Sequence, residues 1–245
     1  MMQINNFLTL DCKYGKFIIN RHCHLQAEHI VKKGVPHIQS ELDNILFLIS
    51  SLPDQPVIFD VGANAGLVSI PIAQTIKSRG GIVHAFEPQK MLYYALCGSV
   101  ALNDLENVTV HNKGVGEKAS ILYLNDIDYS KDQDFGEVFL IETEGKNRVE
   151  IVCLDDLGVK RLDFLKIDVE GMEVPVIKGA SKTIAQYRPY CWVEYWKVGF
   201  ENIIHLFEDD YAFFIMDELN ILCAPKEKIQ SLNATITVKQ VFKNT

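Results

Sequence analysis

The sequence predicts a doubly wound α/β fold built on a mostly parallel sheet. From residue 57 onward, apolar strand-like runs alternate with amphipathic helical patterns, and a glycine loop joins the first of these strands to its helix. Both features are typical of open parallel sheets that carry helices on two faces. With 245 residues, 48% of them hydrophobic, the chain can build one large domain. We expect an N-terminal cap over residues 1–56, an α/β core over 57–224 and a C-terminal extension over 225–245.

The individual elements follow from local signals. Apolar residues recur at helical spacing from Gln39 to Leu52, and Pro53 ends the pattern. The first strand, Val57–Val61, is a continuous apolar run, as expected for a parallel strand covered on both sides. The same signals predict helices at Leu67–Lys77, Gln89–Leu102, Met172–Ala185 and Phe200–Phe207, and strands at Ile82–Glu87, Val108–His111, Phe164–Asp168 and Cys191–Tyr195.

Two segments depart from this alternation. After the third strand the expected helix is missing, and Ile121–Leu124, Val138–Glu142 and Val149–Val152 alternate like strands of a β-hairpin insertion at one side of the sheet. Near the end, Tyr211–Met216 and Leu219–Cys223 predict an antiparallel C-terminal hairpin.

Composition excludes several classes of protein. The 24 basic and 32 acidic residues give a formal charge of −8, which disfavours broad capture of nucleic acid or anionic lipid. The six cysteines form no C-x-x-C pair and are expected to be reduced. The start lacks the pattern of a secretion signal, and the longest apolar stretch, Leu42–Leu52, is shorter than the roughly 20 residues that cross a bilayer. We expect a cytoplasmic protein without nucleic-acid or membrane partners, and its acidic surface and hairpin edge permit a homodimer.

The glycine loop predicts a nucleoside site. Ligands of open parallel sheets bind at the carboxyl ends of the strands, where Asp60–Gly66 lies. Gly62 allows a tight turn, and Gly66 lets the helix begin near a ligand, so that unpaired amides face an anion. Glu87 ends the next strand and can accept hydrogen bonds from two ribose hydroxyls, and Pro88 then turns the chain outward.

Three functions are compatible with a nucleoside site. A nicotinamide-dependent oxidoreductase is disfavoured, because Asn64 replaces a glycine of the dinucleotide fingerprint and no Tyr-x-x-x-Lys motif is evident. A non-catalytic module that kept the pocket would bind the nucleoside without turnover. In an S-adenosylmethionine enzyme, the amino-acid end of the cofactor has no phosphate and therefore needs less room beside Asn64 than a pyrophosphate does.

The segment from Val57 to Tyr195 resembles the FkbM-type methyltransferases, which mostly methylate oxygen atoms of sugars and natural products. The resemblance lies in VIFDVGANAGLVSIPIA, VHAFEPQKMLYYALCGSVALN, VTVHNKGVGE, LDDL and LDFLKIDVEGMEVPVIKGA. It implies a class I methyltransferase (Rossmann-like) fold and S-adenosylmethionine as cofactor. It also implies that the cofactor contacts a set of residues at the strand ends: Asp60, Gly62, Ala63, Asn64, Gly66, Glu87, Pro88, Val115 and Asp168.

A second group of carboxylates follows the fourth parallel strand. For a hydroxyl acceptor, Asp168, Glu170 or Glu194 is the candidate catalytic base, since methyl transfer needs an aligned and deprotonated nucleophile. The structural alternative is that Asp168 and Glu173 cap the start of the following helix, while Glu170 holds the loop through hydrogen bonds to backbone N–H groups. A divalent cation held by Asp168 and Glu170 is a further alternative, although we expect no metal.

Other candidates carry weaker signals. Glu41 is a hypothesis for a cofactor-facing residue, and Lys166 is expected to pair with a carboxylate. Among the histidines, His22, His24, His29 and His37 match no zinc spacing and suit the surface or the acceptor pocket, whereas His84 and His111 suit the core. Tyr195 and Trp196 suit the pocket wall, at a strand's carboxyl end.

Overall fold

The computed structural model describes residues 5–207, 209–231 and 239–241. Its strands are β1 Phe7–Cys12, β2 Gly15–Asn20, β3 Val57–Val61, β4 Ile82–Phe86, β5 Val108–His111, β6 Gly114–Val115, β7 Ser120–Leu124, β8 Leu140–Ile141, β9 Asn147–Val152, β10 Phe164–Ile167, β11 Tyr190–Glu194, β12 Tyr211–Ile215, β13 Asn220–Pro225 and β14 Lys239–Val241. Its α-helices are α1 His24–Lys33, α2 Gln39–Ser50, α3 Ser69–Lys77, α4 Lys90–Leu102, α5 Glu173–Lys178, α6 Ser181–Tyr187 and α7 Phe200–Ile204.

The main sheet has the order β14-β12-β13-β11-β10-β3-β4-β5. Strands β11, β10, β3, β4 and β5 run parallel to one another, whereas β13 pairs antiparallel with both β11 and β12. The chain runs outward from β3 in one direction and resumes at β10 on the other side, so the order reverses between these two strands. This confirms the predicted doubly wound sheet with its antiparallel C-terminal hairpin.

Alternating side chains of the central strands fill two cores, one on each face. Ile58 of β3 and Trp192 of β11 join the core that includes α2, α3 and α4, while Phe59 and Val193 join the core with α5, α6 and α7. All four side chains are almost completely buried. A strand with two buried faces needs the continuous apolar run from which β3 was predicted.

The N-terminal residues pack on the same body. Hairpin β1–β2 is bound to α4, where the Ile18 amide donates to Ser99 Oγ at 2.8 Å and the Lys16 amide donates to Asn103 Oδ1 at 2.9 Å. Gly98 makes this close approach possible, since a Cβ there would lie 2.5 Å from Ile18 Cδ1. Helices α1 and α2 follow and cover one core.

The insertion after β5 is larger than the predicted hairpin. Its strands form a separate four-stranded sheet, in the order β6-β9-β7-β8. The segment predicted at Val138–Glu142 contributes only the two residues of β8, and β6 was not predicted.

The predicted helix Met172–Ala185 is wrong as one element, because it is divided into α5 and α6. The carbonyl of Gly179 at the break accepts the Asp155 amide at 2.9 Å, and Asp155 Oδ1 in turn accepts the Thr183 amide of α6 at 2.8 Å. A Cβ on Gly179 would lie 2.1 Å from the Gly116 carbonyl oxygen. Contacts from distant segments therefore end the helix.

Three further expectations can be compared with the structure. All six cysteines are free, as predicted. Within the part of the chain that the structure describes, no helix combines the length and apolarity needed to cross a membrane. Of the predicted C-terminal extension, residues 232–238 and 242–245 lie outside the described residues, whereas β14 pairs with β12.

Candidate active site

A cavity of about 420 Å³ lies at the carboxyl ends of β3, β4, β10 and β11. Asp60 and Glu87 reach it from β3 and the end of β4, and Asp168 and Glu194 reach it from the end of β10 and from β11. This is the point where the strand order reverses, which is the usual ligand position in an open parallel sheet.

The two glycines of the predicted loop have different structural roles. Gly62 has a φ of +86°, and a Cβ there would lie 1.8 Å from the Asp168 carbonyl oxygen, so the loop is fitted against the end of β10. Gly66 has a φ of +88° and packs on α4, where a Cβ would lie 2.4 Å from Leu96 Cδ1. Gly62 lines the cavity and Gly66 does not, so the predicted contact of Gly66 with the cofactor has no support from the cavity lining.

The amides of the loop are already bonded within the protein. Those of Gly62 and Ala63 donate to the Phe86 carbonyl at 3.0 and 2.9 Å, and that of Asn64 donates to Glu87 Oε2 at 2.8 Å. The expectation of unpaired amides facing an anion is wrong for these three residues. Their bonds to the end of β4 instead hold the loop in its turn, with Asn64 at a φ of +49°.

Glu87 is held from two sides at the end of β4. Its Oε2 accepts the Asn64 amide and its Oε1 accepts the Gln89 amide at 2.7 Å. Each carboxylate oxygen keeps a second lone pair for a ligand. The residue is 3% exposed, and this burial raises the pKa of Glu87 to about 7.

A buried ion pair lies beside the loop. The Lys166 ammonium donates to Asp168 Oδ2 at 2.9 Å and lies 3.9 Å from Asp60 Oδ1, which confirms the predicted pairing. Burial by itself disfavours the lysine charge, but attraction to the surrounding carboxylates outweighs it and raises the pKa of Lys166. Asp60 is completely buried, which raises its pKa; Ser69 Oγ donates to Oδ2, while Oδ1 has no hydrogen-bond partner.

Two further carboxyls face this ion pair. Glu41 of α2 accepts the Trp192 indole N–H at 3.1 Å, and burial raises the pKa of Glu41 to about 7. Burial, followed by the charge of Asp168, raises the pKa of Glu194 to about 8, and Glu194 Oε2 has no hydrogen-bond partner. Glu41 lines the cavity, as hypothesised from the sequence.

The loop after β10 brings three carboxylates together. Asp168, Glu170 and Glu194 each place one oxygen within 4.8 Å of the others, a spacing that could hold a divalent cation. Glu170 has a φ of +60° and forms an ion pair with Lys197, so a protein cation already approaches the group. Glu173, by contrast, accepts the loop amides of Val169 and Gly171 at 3.2 and 3.1 Å, so it has the loop-ordering role that the sequence suggested for Glu170.

Several predicted residues take part in the cavity wall and others do not. Val115 and Pro88 line it, as does Trp196, which is 50% exposed. Tyr195 is not among the lining residues, and its hydroxyl donates to the Asp217 carbonyl at 3.3 Å. His37 lines the cavity with a buried Nδ1 that lacks a partner, and burial lowers its pKa.

The sequence did not identify some lining residues, among them Leu25, Gln26, Ile38, Asp134 and Leu219. They belong to the N-terminal helices, to the insertion and to the final hairpin, which the fold brings to the cavity from distant positions. Single apolar or polar residues outside a motif give no local signal for this.

The cavity is strongly acidic. The carboxyl groups that line it outnumber the lysines by eight to two, the former being Glu41, Asp60, Glu87, Asp134, Glu137, Asp168, Glu170 and Glu194, and the latter Lys113 and Lys166. Such a surface favours a cationic ligand and opposes a pyrophosphate.

Comparisons with known proteins agree with this geometry. Residues 60–220 match the family model of the methyltransferase FkbM domain. Methyltransferase sdnD of Sordaria araneosa is 28% identical over 201 residues, which cover 68% of this chain and 77% of that protein. Methyltransferase 1 of Beauveria bassiana is 27% identical over 153 residues, which cover 54% of this chain and 61% of that protein.

The fold is also found among solved structures. A crystal structure of methyltransferase FkbM from Methylobacillus flagellatus KT matches with a TM-score of 0.52 and 19% identity, over 70% of this chain and 44% of that one. This chain therefore spans less than half of that protein, and the likeness shows the shared fold.

Proposed function

The chain belongs to the FkbM methyltransferase family, and we propose that it transfers the methyl group of S-adenosylmethionine to a hydroxyl of a small molecule, such as a sugar or natural product. The observation that carries this proposal is the acidic cavity between Glu87 and the carboxylates of Asp168 and Glu194. It offers a ribose acceptor at one strand end and candidate bases at the others.

The residues present fit this cofactor. Glu87 keeps free lone pairs for the ribose hydroxyls, and Val115 provides an apolar surface for the adenine. Asp60 also lines the cavity, and its Oδ1, buried and without a hydrogen-bond partner, suits the cationic methionine portion. Leu67 and Val68 line the cavity after the loop and are the next amides along the chain for the methionine carboxylate.

Within this proposal, Glu194 is the preferred catalytic base. Bound S-adenosylmethionine supplies an electrophilic methyl group on a sulfonium. Glu194 has an oxygen free to accept the acceptor's proton, and its pKa of about 8 suits proton transfer near neutral pH. Asp168 is engaged by Lys166, and Glu170 by Lys197, so these two carboxylates position the loop.

We expect the reaction to proceed without a divalent cation. The ion pair of Glu170 with Lys197 supplies positive charge at the carboxylate cluster. Activity that survives removal of metal by a chelator is the predicted result, and activity that returns only when Mg²⁺ or Mn²⁺ is added would assign the cluster to a metal.

Titration calorimetry and a turnover assay test the function together. We expect heat on titration with S-adenosylmethionine and S-adenosylhomocysteine, none with nicotinamide dinucleotides, and release of S-adenosylhomocysteine with a hydroxylated acceptor. Binding of the dinucleotide alone would favour an oxidoreductase. Binding of the methyl donor without turnover on any acceptor would favour a non-catalytic module.

A further inference from the structure

We propose that the methyl acceptor is an uncharged hydroxyl compound with a flat apolar ring, which docks between the N-terminal cap and Trp196, and that phosphorylated or nucleotide-linked acceptors are excluded. This inference rests on the proposed function and names the substrate class of the same site. Its support comes from the shape, the polarity and the charge of one wall of the cavity.

That wall is built largely from residues outside the matched family region of 60–220. Leu25, His37, Ile38 and Glu41 of the cap line the cavity. The hydrogen bond from Trp192 to Glu41 joins α2 to β11, so the cap lies beside the end of the strand that leads to Trp196.

The rim of this wall is apolar and open. Leu25, Trp196 and Leu219 line the cavity although they are 55%, 50% and 45% exposed. Large apolar side chains that remain exposed together at a cavity mark a binding surface. A tryptophan face at its edge suits a flat ring, which stacks on it with little loss of conformational entropy.

One polar side chain of the cap, His37, suits a neutral hydroxyl. His37 Nδ1 is buried and has no hydrogen-bond partner. Burial lowers the pKa of His37, against the opposing charges of Asp134 and Asp168, so the ring is uncharged at neutral pH. An uncharged imidazole can exchange a hydrogen bond with a hydroxyl and offers no charge to an anion.

Both lysines of the described cavity lining already pair with a carboxylate. Lys166 is 4% exposed and paired with Asp168, and Lys113 donates to Glu150 Oε1 at 3.0 Å. Asp134 and Glu137 of the insertion also line the cavity with negative charge. A phosphate would therefore meet an excess of carboxyl groups and would have to break one of these pairs to find a cation, whereas a neutral ring would not.

Matched acceptor pairs test the class. Phenyl β-D-glucoside and its 6-phosphate, and methyl β-D-glucoside and its 6-phosphate, are compared by S-adenosylhomocysteine release and by calorimetric binding to the protein loaded with S-adenosylhomocysteine. We expect at least a tenfold preference for each neutral member, and tighter binding of the phenyl compound. Equal or better use of a phosphorylated member overturns the proposal, as does failure of both neutral compounds to bind the loaded protein.

Two variants with matched controls test the wall itself. Glu137→Lys should reduce the preference for the neutral member at least threefold, whereas Glu142→Lys, the same charge change at an exposed residue outside the cavity lining, should not. Trp196→Ala should raise KM for the phenyl compound about tenfold with little change in kcat, whereas Tyr94→Ala, at an aromatic residue 52% exposed on α4, should leave it unchanged.

The affinity for S-adenosylhomocysteine distinguishes a failure of the proposed function from a failure of the acceptor site alone. All four variants should bind S-adenosylhomocysteine as the unsubstituted protein does. If the unsubstituted protein does not bind S-adenosylhomocysteine, the proposed function is refuted. If it binds S-adenosylhomocysteine but each variant changes acceptor preference or KM no more than its control does, only the acceptor site is refuted.

Discussion

Replacement of Glu87 by glutamine tests the ribose site with a small change of shape. The carboxylate accepts amides from Asn64 and Gln89, and a glutamine keeps only one acceptor oxygen for the protein and the ligand. Loss of charged hydrogen bonds to a ribose hydroxyl costs about 1–3 kcal/mol. The dissociation constant of S-adenosylhomocysteine should therefore rise by about 5- to 150-fold.

The pH dependence of S-adenosylhomocysteine binding is an independent test of the role of Glu87. Burial raises the pKa of Glu87 from 4.5 to about 7, so the free protein holds a proton there below neutral pH. Only the ionised form accepts both hydroxyls, and each pH unit below 7 therefore weakens binding by up to about tenfold, or roughly 1.4 kcal/mol. Affinity should rise from pH 6 to pH 8 and level off above that range.

Calorimetry of both proteins at several pH values measures these effects. Glu41 and Glu194 also titrate in this range, so the decisive quantity is the difference in slope between the unsubstituted protein and Glu87→Gln. We expect the affinity of the variant to depend on pH less steeply, by a slope that corresponds to about one proton. Equal affinities and equal slopes would refute the placement of the ribose at Glu87.

Three other substitutions test the surrounding site. Gly62→Ala should lower the free energy of unfolding by about 3 kcal/mol or more, and the control Gly34→Ala should lower it by about 1 kcal/mol. Both glycines have a positive φ, but only at Gly62 would the added Cβ lie within 2 Å of a backbone atom. Equal losses of the two variants in denaturant titrations would contradict this. Lys166→Met leaves Asp60 buried without its cation, so the free energy of unfolding should fall by about 3–5 kcal/mol. Unchanged thermal stability of this variant would contradict that expectation. Glu194→Gln should lower kcat about 10²- to 10⁴-fold and abolish the rise of the rate as pH approaches about 8; a variant that keeps this rise would assign the base elsewhere.

The parallel core and its acidic strand ends could be predicted because their signals are local. The apolar run of β3 and the pattern of α2 lie within single elements, and Glu87 directly follows its strand. The carboxyl ends of parallel strands share one edge, so Asp60, Glu87, Asp168 and Glu194 were expected near one ligand without knowledge of the tertiary contacts.

The remaining features depend on partners far along the chain. The loop amides were expected to be free, but their acceptors lie on the neighbouring strand β4. Likewise, the break between α5 and α6 requires Asp155 and Gly116, more than twenty residues away. The cap wall around His37 combines three helical or loop segments, and no periodic pattern shows where such segments will pack.

A crystal structure with S-adenosylhomocysteine tests the central claim most directly. We expect both ribose hydroxyls within hydrogen-bond distance of Glu87, the adenine against Val115, and the sulfur directed toward Asp168 and Glu194. A ligand bound with its ribose away from Glu87, or with its sulfur remote from those carboxylates, would contradict it.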